Sequence, residues 1–360
     1  MSIPPDTVSL ADYERHFHER ADAQVRAYFG GAAADGVTQR ENRAAFDAIR
    51  LLPRALADLS GASAASSLFG ETLHYPIILA PTAYHRLAHP EGELATAQAA
   101  SLTRTWMTVS TLASASLETI ASTSTSPLWF QLYFQPQREY TLTLVRRAEQ
   151  AGYRAIMVTI DAVVNGIRNE EQRAGFRLPA GIRAVNLDGM PAPVSSTATT
   201  GSPVFSGMLA HAPTWVDIEW LCRQTELPVI VKGLLSPSDV SPALDAGVSG
   251  IVVSNHGGRV LDTLPATIEV LPAIAEIVAG RVPVLMDGGI RRGTDIVKAL
   301  ALGASAVLIG QPVIHALGVG GMAGVAHMLT ILQTELEATL ALLGRPRLAD
   351  IDRSVLWTRN

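Results

Sequence analysis

Eight short runs of apolar, largely β-branched residues recur along the chain, and they constrain its fold more than any other feature. They read "PIILAPTA" (76–83), "WMTVST" (106–111), "LWFQLYF" (128–134), "AIMVTIDA" (155–162), "PVIVKG" (228–233), "GIVVSNHG" (250–257), "VPVLMDGG" (282–289) and "AVLIGQP" (306–312). Runs of this length and composition are strands buried on both faces. Helical patterns lie between them, such as "PEGELATAQAASL" (90–102) with Pro90 in the first turn and "RRGTDIVKALALG" (291–303) closed by Gly303. Strand and helix alternating eight times predict an α/β fold, a (β/α)₈ TIM barrel.

The ends of the runs carry residues that a core rejects: Thr82, Ser110, Gln131 with Tyr133, Thr159 with Asp161, Lys232, His256, Asp287 and Gln311. One such residue is most simply a solvated loop position. Eight at the same relative place are the carboxyl rim of a barrel, where a barrel's chemistry sits. In "IVVSNHGGRVLD" (251–262) an imidazole and then a guanidinium follow a buried strand, groups from which a strand gains nothing unless something binds at its end.

Two segments stand outside the repeat. Residues 1–70 read as an N-terminal helical arm before a barrel spanning 71–345, and residues 176–213, rich in Ser, Thr, Pro and Gly, read as a long, mobile lid loop after the fourth strand. The whole of 1–360 is expected to be one domain. With 48% hydrophobic and 17% charged residues, a large core is available and disorder is not expected. A formal net charge of −5 argues against a general nucleic-acid or anionic-membrane binder. Cys222 is the only cysteine, which excludes an intrachain disulfide and a thiolate metal cluster. No signal layout opens the chain and no run approaches 18 uninterrupted apolar residues, so a cytoplasmic enzyme is expected.

The seventh and eighth runs frame "DGGIRRGTD" and "GQP". Loops after strands seven and eight of a barrel often hold a phosphate on backbone N–H groups and a helix N-terminus. Gly288, Gly289 and Gly310 would let backbone approach it, Arg291 would supply charge, and Asp287 suits a ribose or ribityl hydroxyl. Lys232 must be buried in the barrel mouth and needs a partner: a Schiff base, a structural ion pair, or a cofactor that gains electrons.

"SNHGGRVLD", "PTA…AHPEGE", "FQLY", "VKG" and "DGGIRRGTDIVKALALGA" occur in this order. With them the chain resembles the FMN-dependent α-hydroxy-acid oxidases and dehydrogenases, the group of glycolate oxidase, lactate oxidase and mandelate dehydrogenase. The resemblance runs from "YFGGAAADGVTQRENRAAF" (28–46) to about residue 340. It implies oxidation of an (S)-2-hydroxy acid to a 2-oxo acid, with FMN as cofactor and dioxygen reoxidising it to give peroxide. The alternative is a dehydrogenase handing electrons to a quinone or cytochrome. The roles it implies are as follows. His256 is the base and Asp161 orients it; Tyr133 bonds the substrate hydroxyl. Arg168 and Arg259 grip the carboxylate with help from Tyr28. Lys232 faces the N1–C2=O edge of the isoalloxazine. Ser110, Gln131 and Thr159 hold the ring's polar edge, the backbone of Pro81, Thr82 and Ala83 lines its other side, and Ser254, Asp287, Gly289, Arg291, Gly310 and Gln311 complete the cofactor set. A homotetramer is implied in the same way.

Three positions depart from that pattern. Relatives carry "GRP" where this chain has Gln311, and a neutral amide forfeits a charge-assisted pair, about 1–3 kcal/mol, unless Arg291 compensates. Leu112 replaces an aromatic residue over the substrate pocket, which predicts acceptance of aliphatic or aryl acids beyond glycolate. Asn165 and Ile167 stand where relatives carry basic residues. Elsewhere the plain readings win. His85 and His89 are structural or surface residues, Glu91 a first-turn helix residue, Trp106 and Trp129 core. "HMLTILQTELEATLALL" (327–343) is a packed helix, a possible subunit interface, and no metal is expected. A redox-neutral FMN barrel is opposed by the His256–Arg259 pair.

Overall fold

The computed structural model describes residues 2–191, 202, 204, 205, 209 and 212–357. Its centre is a closed barrel of eight parallel strands. We number them β1 (Ile77–Leu79), β2 (Trp106–Ser110), β3 (Leu128–Leu132), β4 (Ala155–Thr159), β5 (Val229–Leu234), β6 (Gly250–Val253), β7 (Val284–Met286) and β8 (Ala306–Ile309). Each pairs with its sequence neighbour, and β8 pairs with β1 through Ile309 and Leu79. Alternate side chains point inward, so Ile78, Trp129, Met157, Val252 and Leu308 form an apolar plug inside the barrel. The hairpin Ser66–Leu68/Glu71–Leu73 extends that plug with Leu68 and Leu73. Trp106 and Trp129 are core residues as expected.

Most strands stop short of the apolar runs that announce them, although β5 runs on to Leu234. β6 ends at Val253, and Ser254, Asn255 and His256 belong to the loop beyond. The cause is local. His256 has φ 56°, Gly257 64° and Gly258 75°, left-handed geometry that no strand tolerates. Glycine suits two of these positions. At His256 a bulky side chain is held in the disfavoured region, a strain that surrounding contacts must sustain.

The N-terminal segment, read from sequence as a helical arm that need not belong to the barrel, packs against it in the structure. Its helices are α1 (Leu10–Arg20), α2 (Ala23–Gly30) and α3 (Val37–Ala48). α1 packs on the long C-terminal helix Gln311–Leu342; a Cβ on Gly318 would come within 2.6 Å of the Phe17 ring. Among the described residues, Gln311–Leu342 is the one helix long and apolar enough to cross a bilayer. Most of it is buried, and it bends at Gly320 and Gly321.

α3 locks the loops after β6 and β7. The buried side chains of Asn42 and Asn255 exchange two hydrogen bonds, 2.9 and 2.8 Å, and Asn255 Nδ2 also donates to the Pro265 carbonyl. Gly289 (φ 82°) lies so close that a Cβ there would stand 2.1 Å from the Asn42 carbonyl oxygen. Arg43 donates to the Gly289 carbonyl oxygen at 2.8 Å. Of the expected lid, Phe176 stacks on Tyr28 with ring centroids 4.6 Å apart, and Trp215–Cys222 begins the next helix. Its middle, 192–201 with 203, 206–208, 210 and 211, lies outside the described residues.

The amide pair yields a prediction. Asn42→Ala strands the buried Asn255 amide, so the protein should lose about 1–3 kcal/mol of stability. Chemical denaturation should show a lower midpoint, and an unchanged midpoint would remove the lock from this account.

Candidate active site

The carboxyl ends of β4, β5, β6 and β7 bring four ionisable groups together, Asp161, Lys232, His256 and Asp287. His256 Nδ1 lies 2.9 Å from Asp161 Oδ1, which leaves Nε2 as the free ring nitrogen. Gly233 (φ 108°) follows Lys232 because a Cβ there would strike the Asp161 side chain at 2.5 Å. Burial alone would raise the Asp161 carboxyl pKa, but His256 and then Lys232 hold it below the ordinary carboxylate range. Its second oxygen, Oδ2, is buried with no hydrogen-bond partner.

Lys232 is buried, its Nζ 3.0 Å from Asp287 Oδ2 and donating to Ser254 Oγ at 3.0 Å. Of the three partners open to it from sequence, the structure contains the ion pair. Burial favours the neutral amine, yet Asp287 and Asp161 keep Lys232 above its ordinary value. Asp287 Oδ1 is another buried oxygen without a partner. A hydroxyl donor would satisfy it.

Beside this cluster, the ends of β2, β3 and β4 form a buried polar ladder. Ser110 Oγ donates to Gln131 Oε1 at 3.2 Å, and Gln131 Nε2 donates to Thr159 Oγ1 at 3.0 Å. Thr111, which sequence reasoning passed over, ties the ladder to Tyr133. Its hydroxyl donates to the Gln131 carbonyl at 2.6 Å and accepts from the Tyr133 amide at 3.1 Å. Half-buried Pro81, Thr82 and Ala83 follow β1, and the Leu112 carbonyl accepts from the Tyr84 amide. Glu93, also missed, is buried and fixes this corner by accepting from His85 N, Ser114 N and Ser114 Oγ.

The arginines meet on the opposite side, where α2 approaches. Gly166 has no room for a Cβ, which would sit 2.3 Å from the Val260 carbonyl oxygen. That close approach sets the Arg168 loop against the Arg259 loop, with Arg168 Nε donating to the Arg259 carbonyl at 3.3 Å. Arg259 Nη1 donates to Gly31 O at 2.6 Å, and Nη2 to Tyr28 O at 2.6 Å. Burial, then the like charge of Arg168, draws Arg259 down to about 10. Burial pushes the Tyr28 and Tyr133 hydroxyls up, so both are neutral donors at physiological pH.

At the end of β7 the structure differs from the expected anion cradle. Asp295 Oδ2 accepts from the amides of Arg291 and Arg292, both 3.0 Å, and Glu335 accepts from Gly293 N at 2.9 Å. This helix start is filled by the protein's own carboxylates, and Gly289 answers to α3 packing. What stands free for an anion is side chain and the other helix start. Gly310 precedes Gln311–Leu342, and Arg291 Nη2 donates to Gln311 Oε1 at 2.6 Å. Glu14, His18 and His315 also gather their ligand atoms within 4.8 Å, with His315 buried, Glu14 half-buried and His18 exposed. The Arg291 charge bears on His315, which disfavours a cation there.

The residues fit FMN on three counts. Lys232 offers a buried cation, Asp287 Oδ1 an unsatisfied acceptor, and the Arg291–Gln311 pair a donor set for a phosphate.

Residues 17–358 match the family model described as FMN-dependent dehydrogenase. The chain is 46% identical to an L-lactate oxidase of Alicycliphilus denitrificans, covering 98% of this chain and 97% of that one. It is 41% identical to glycolate oxidase 3 of Arabidopsis thaliana, covering 98% and 96%. A crystal structure of mandelate oxidase with benzoyl-formic acid superposes with a TM-score of 0.89 at 40% identity, covering 98% of each chain.

Asp161 carries a pH signature. Its folded pKa lies below the ordinary 3.8, so its ionised form adds stability above that value, lost as pH falls through the folded pKa. Thermal melts over a pH series should show the advantage of wild type over Asp161→Asn shrinking below pH 3.8. A gap that does not change with pH would contradict this assignment.

Proposed function

The chain belongs to the FMN-dependent dehydrogenase family and is an FMN-dependent 2-hydroxy-acid oxidase; on that premise we propose the roles its residues play and the substrate it takes. The relatives compared are oxidases by name, which favours dioxygen over a quinone or cytochrome as acceptor. One observation carries the reading. An imidazole held by a buried carboxylate at 2.9 Å shares the rim with two arginines and two neutral tyrosines.

Arg168 and Arg259 receive the substrate carboxylate, with the Tyr28 hydroxyl as a further donor. Tyr133 donates to the hydroxyl oxygen of the substrate. His256 takes the departing proton on Nε2, since Nδ1 is committed to Asp161, and Asp161 stabilises the resulting imidazolium. The chemistry supplied by bound FMN is a two-electron sink for the substrate and then a two-electron reductant for dioxygen, giving hydrogen peroxide. Lys232 and the Ser110–Gln131–Thr159 ladder would hold the ring, Ser254 would keep Lys232 in place, and Asp287 would accept from a ribityl hydroxyl. Arg291 with Gln311 and the backbone at Gly310 would hold the phosphate, while Pro81–Ala83 would line the ring. Gly289 enters indirectly, by letting α3 close on the loop that follows Asp287.

The whole chain acts as one FMN-binding domain on this reading, because backbone carbonyls at 28–31 hold Arg259. A homotetramer in the cytoplasm completes it, resting on the family resemblance; light scattering on the purified protein tests the assembly.

Leu112 shapes the substrate side chain's pocket. An aliphatic residue there favours acids larger than glycolate, and L-lactate comes first because the lactate oxidase relative is the more similar of the two curated ones compared. Peroxide release under air should rank L-lactate above glycolate, with mandelate as the aryl test. Equal or faster turnover of glycolate would overturn the ranking. His256→Asn should stay yellow and lose about 10²- to 10⁴-fold in flavin bleaching by substrate without oxygen. Bleaching at the wild-type rate would remove His256 from the base's role.

A further inference from the structure

Two guanidiniums side by side repel, and here a third group stands between them. Glu171 Oε1 accepts from Arg168 Nη1 at 2.8 Å and lies 3.5 Å from Arg259 Nη2. All three side chains are about four-fifths buried, with exposures of 18–20%. Glu171 sits on the short helix Asn169–Arg173, which packs against α2, the helix whose last carbonyls hold Arg259. The carboxylate is therefore built in from two elements. With it present, the two arginines and Glu171 leave one net positive charge to meet a ligand.

We propose that Glu171 is a positioning and specificity-determining residue that sets the carboxylate-binding arginine pair to one unit of positive charge, so the site accepts monocarboxylate 2-hydroxy acids and disfavours dicarboxylates. The inference rests on the reading that Arg168 and Arg259 receive the substrate carboxylate. The physical cause is Coulombic. Among mostly buried groups, one extra ligand charge meets weakened screening, so a single fixed carboxylate decides whether it is attracted or repelled. Glu171 also relieves the repulsion between the guanidiniums, which lets the two stay beside one another at the rim.

The test compares oxalate with oxamate, two nearly isosteric ligands that differ by one negative charge, titrated into the FMN-loaded enzyme at neutral pH and followed by flavin absorbance. Glu171→Gln should tighten oxalate relative to oxamate by about tenfold against wild type, and Glu171→Asp, which keeps the charge, should leave the ratio near the wild-type value. If the amide variant does not fold, Glu171→Ala makes the same comparison. Equal changes for both anions would mean a merely structural role and overturn the proposal. Arg259→Met separates this from the underlying reading. If that variant binds both anions as wild type does, the arginine reading itself fails; if it loses both while the Glu171→Gln ratio stays unchanged, only the Glu171 proposal fails.

Discussion

Removing charge from water is the cost around which this rim is organised. Three groups of buried charge have an opposite partner within reach, Lys232 with Asp287, His256 with Asp161, and Arg168 and Arg259 with Glu171, while Arg291 is met only by the neutral Gln311. The pairing is incomplete in one informative way. Asp161 Oδ2 and Asp287 Oδ1 keep unused acceptor capacity, so two buried oxygens of the rim stay open to a hydroxyl or N–H donor. A rim fully satisfied by itself would have nothing to offer a ligand.

Scaffold residues around the charges are chosen for the absence of atoms. Gly233 yields to Asp161, Gly166 to the Val260 carbonyl, and Gly289 to Asn42. Each would collide with its neighbour as alanine, and each collision would push apart two loops whose charges must face one another. Close backbone approach is thus the geometric condition for the charge pairs, and the pairs in turn stabilise loops that carry strained backbone such as His256.

Much of this was legible in the sequence, for a physical reason. Strand burial leaves a periodic apolar signal, and the polar residues that end each run mark the rim regardless of neighbours. The structure brings His256, Asp161, Lys232 and both arginines to the carboxyl rim of the barrel, the end that signal marks. What stayed hidden is long-range pairing between residues of ordinary type. Nothing in "TQRENRAAF" says that Asn42 will bond Asn255, 213 positions away. "GIRNEEQR" reads as a charged helix turn, and only the approach of β6's loop turns Glu171 into a shared counter-ion. The glycines after β7 were legible as tight turns, but their partner was not: α3, and Asp295 capping its own helix, occupy the ground that an anion cradle would need.

The docking of α1 on the last long helix has a consequence in time. A ribosome makes Leu10–Arg20 well before Gln311–Leu342, so this helix waits, without that partner, while all eight barrel strands emerge. The carbonyls that steady Arg259 belong to the same early stretch. A nascent chain stalled before Gln311–Leu342 would therefore have its eight barrel strands but lack the surface on which α1 docks.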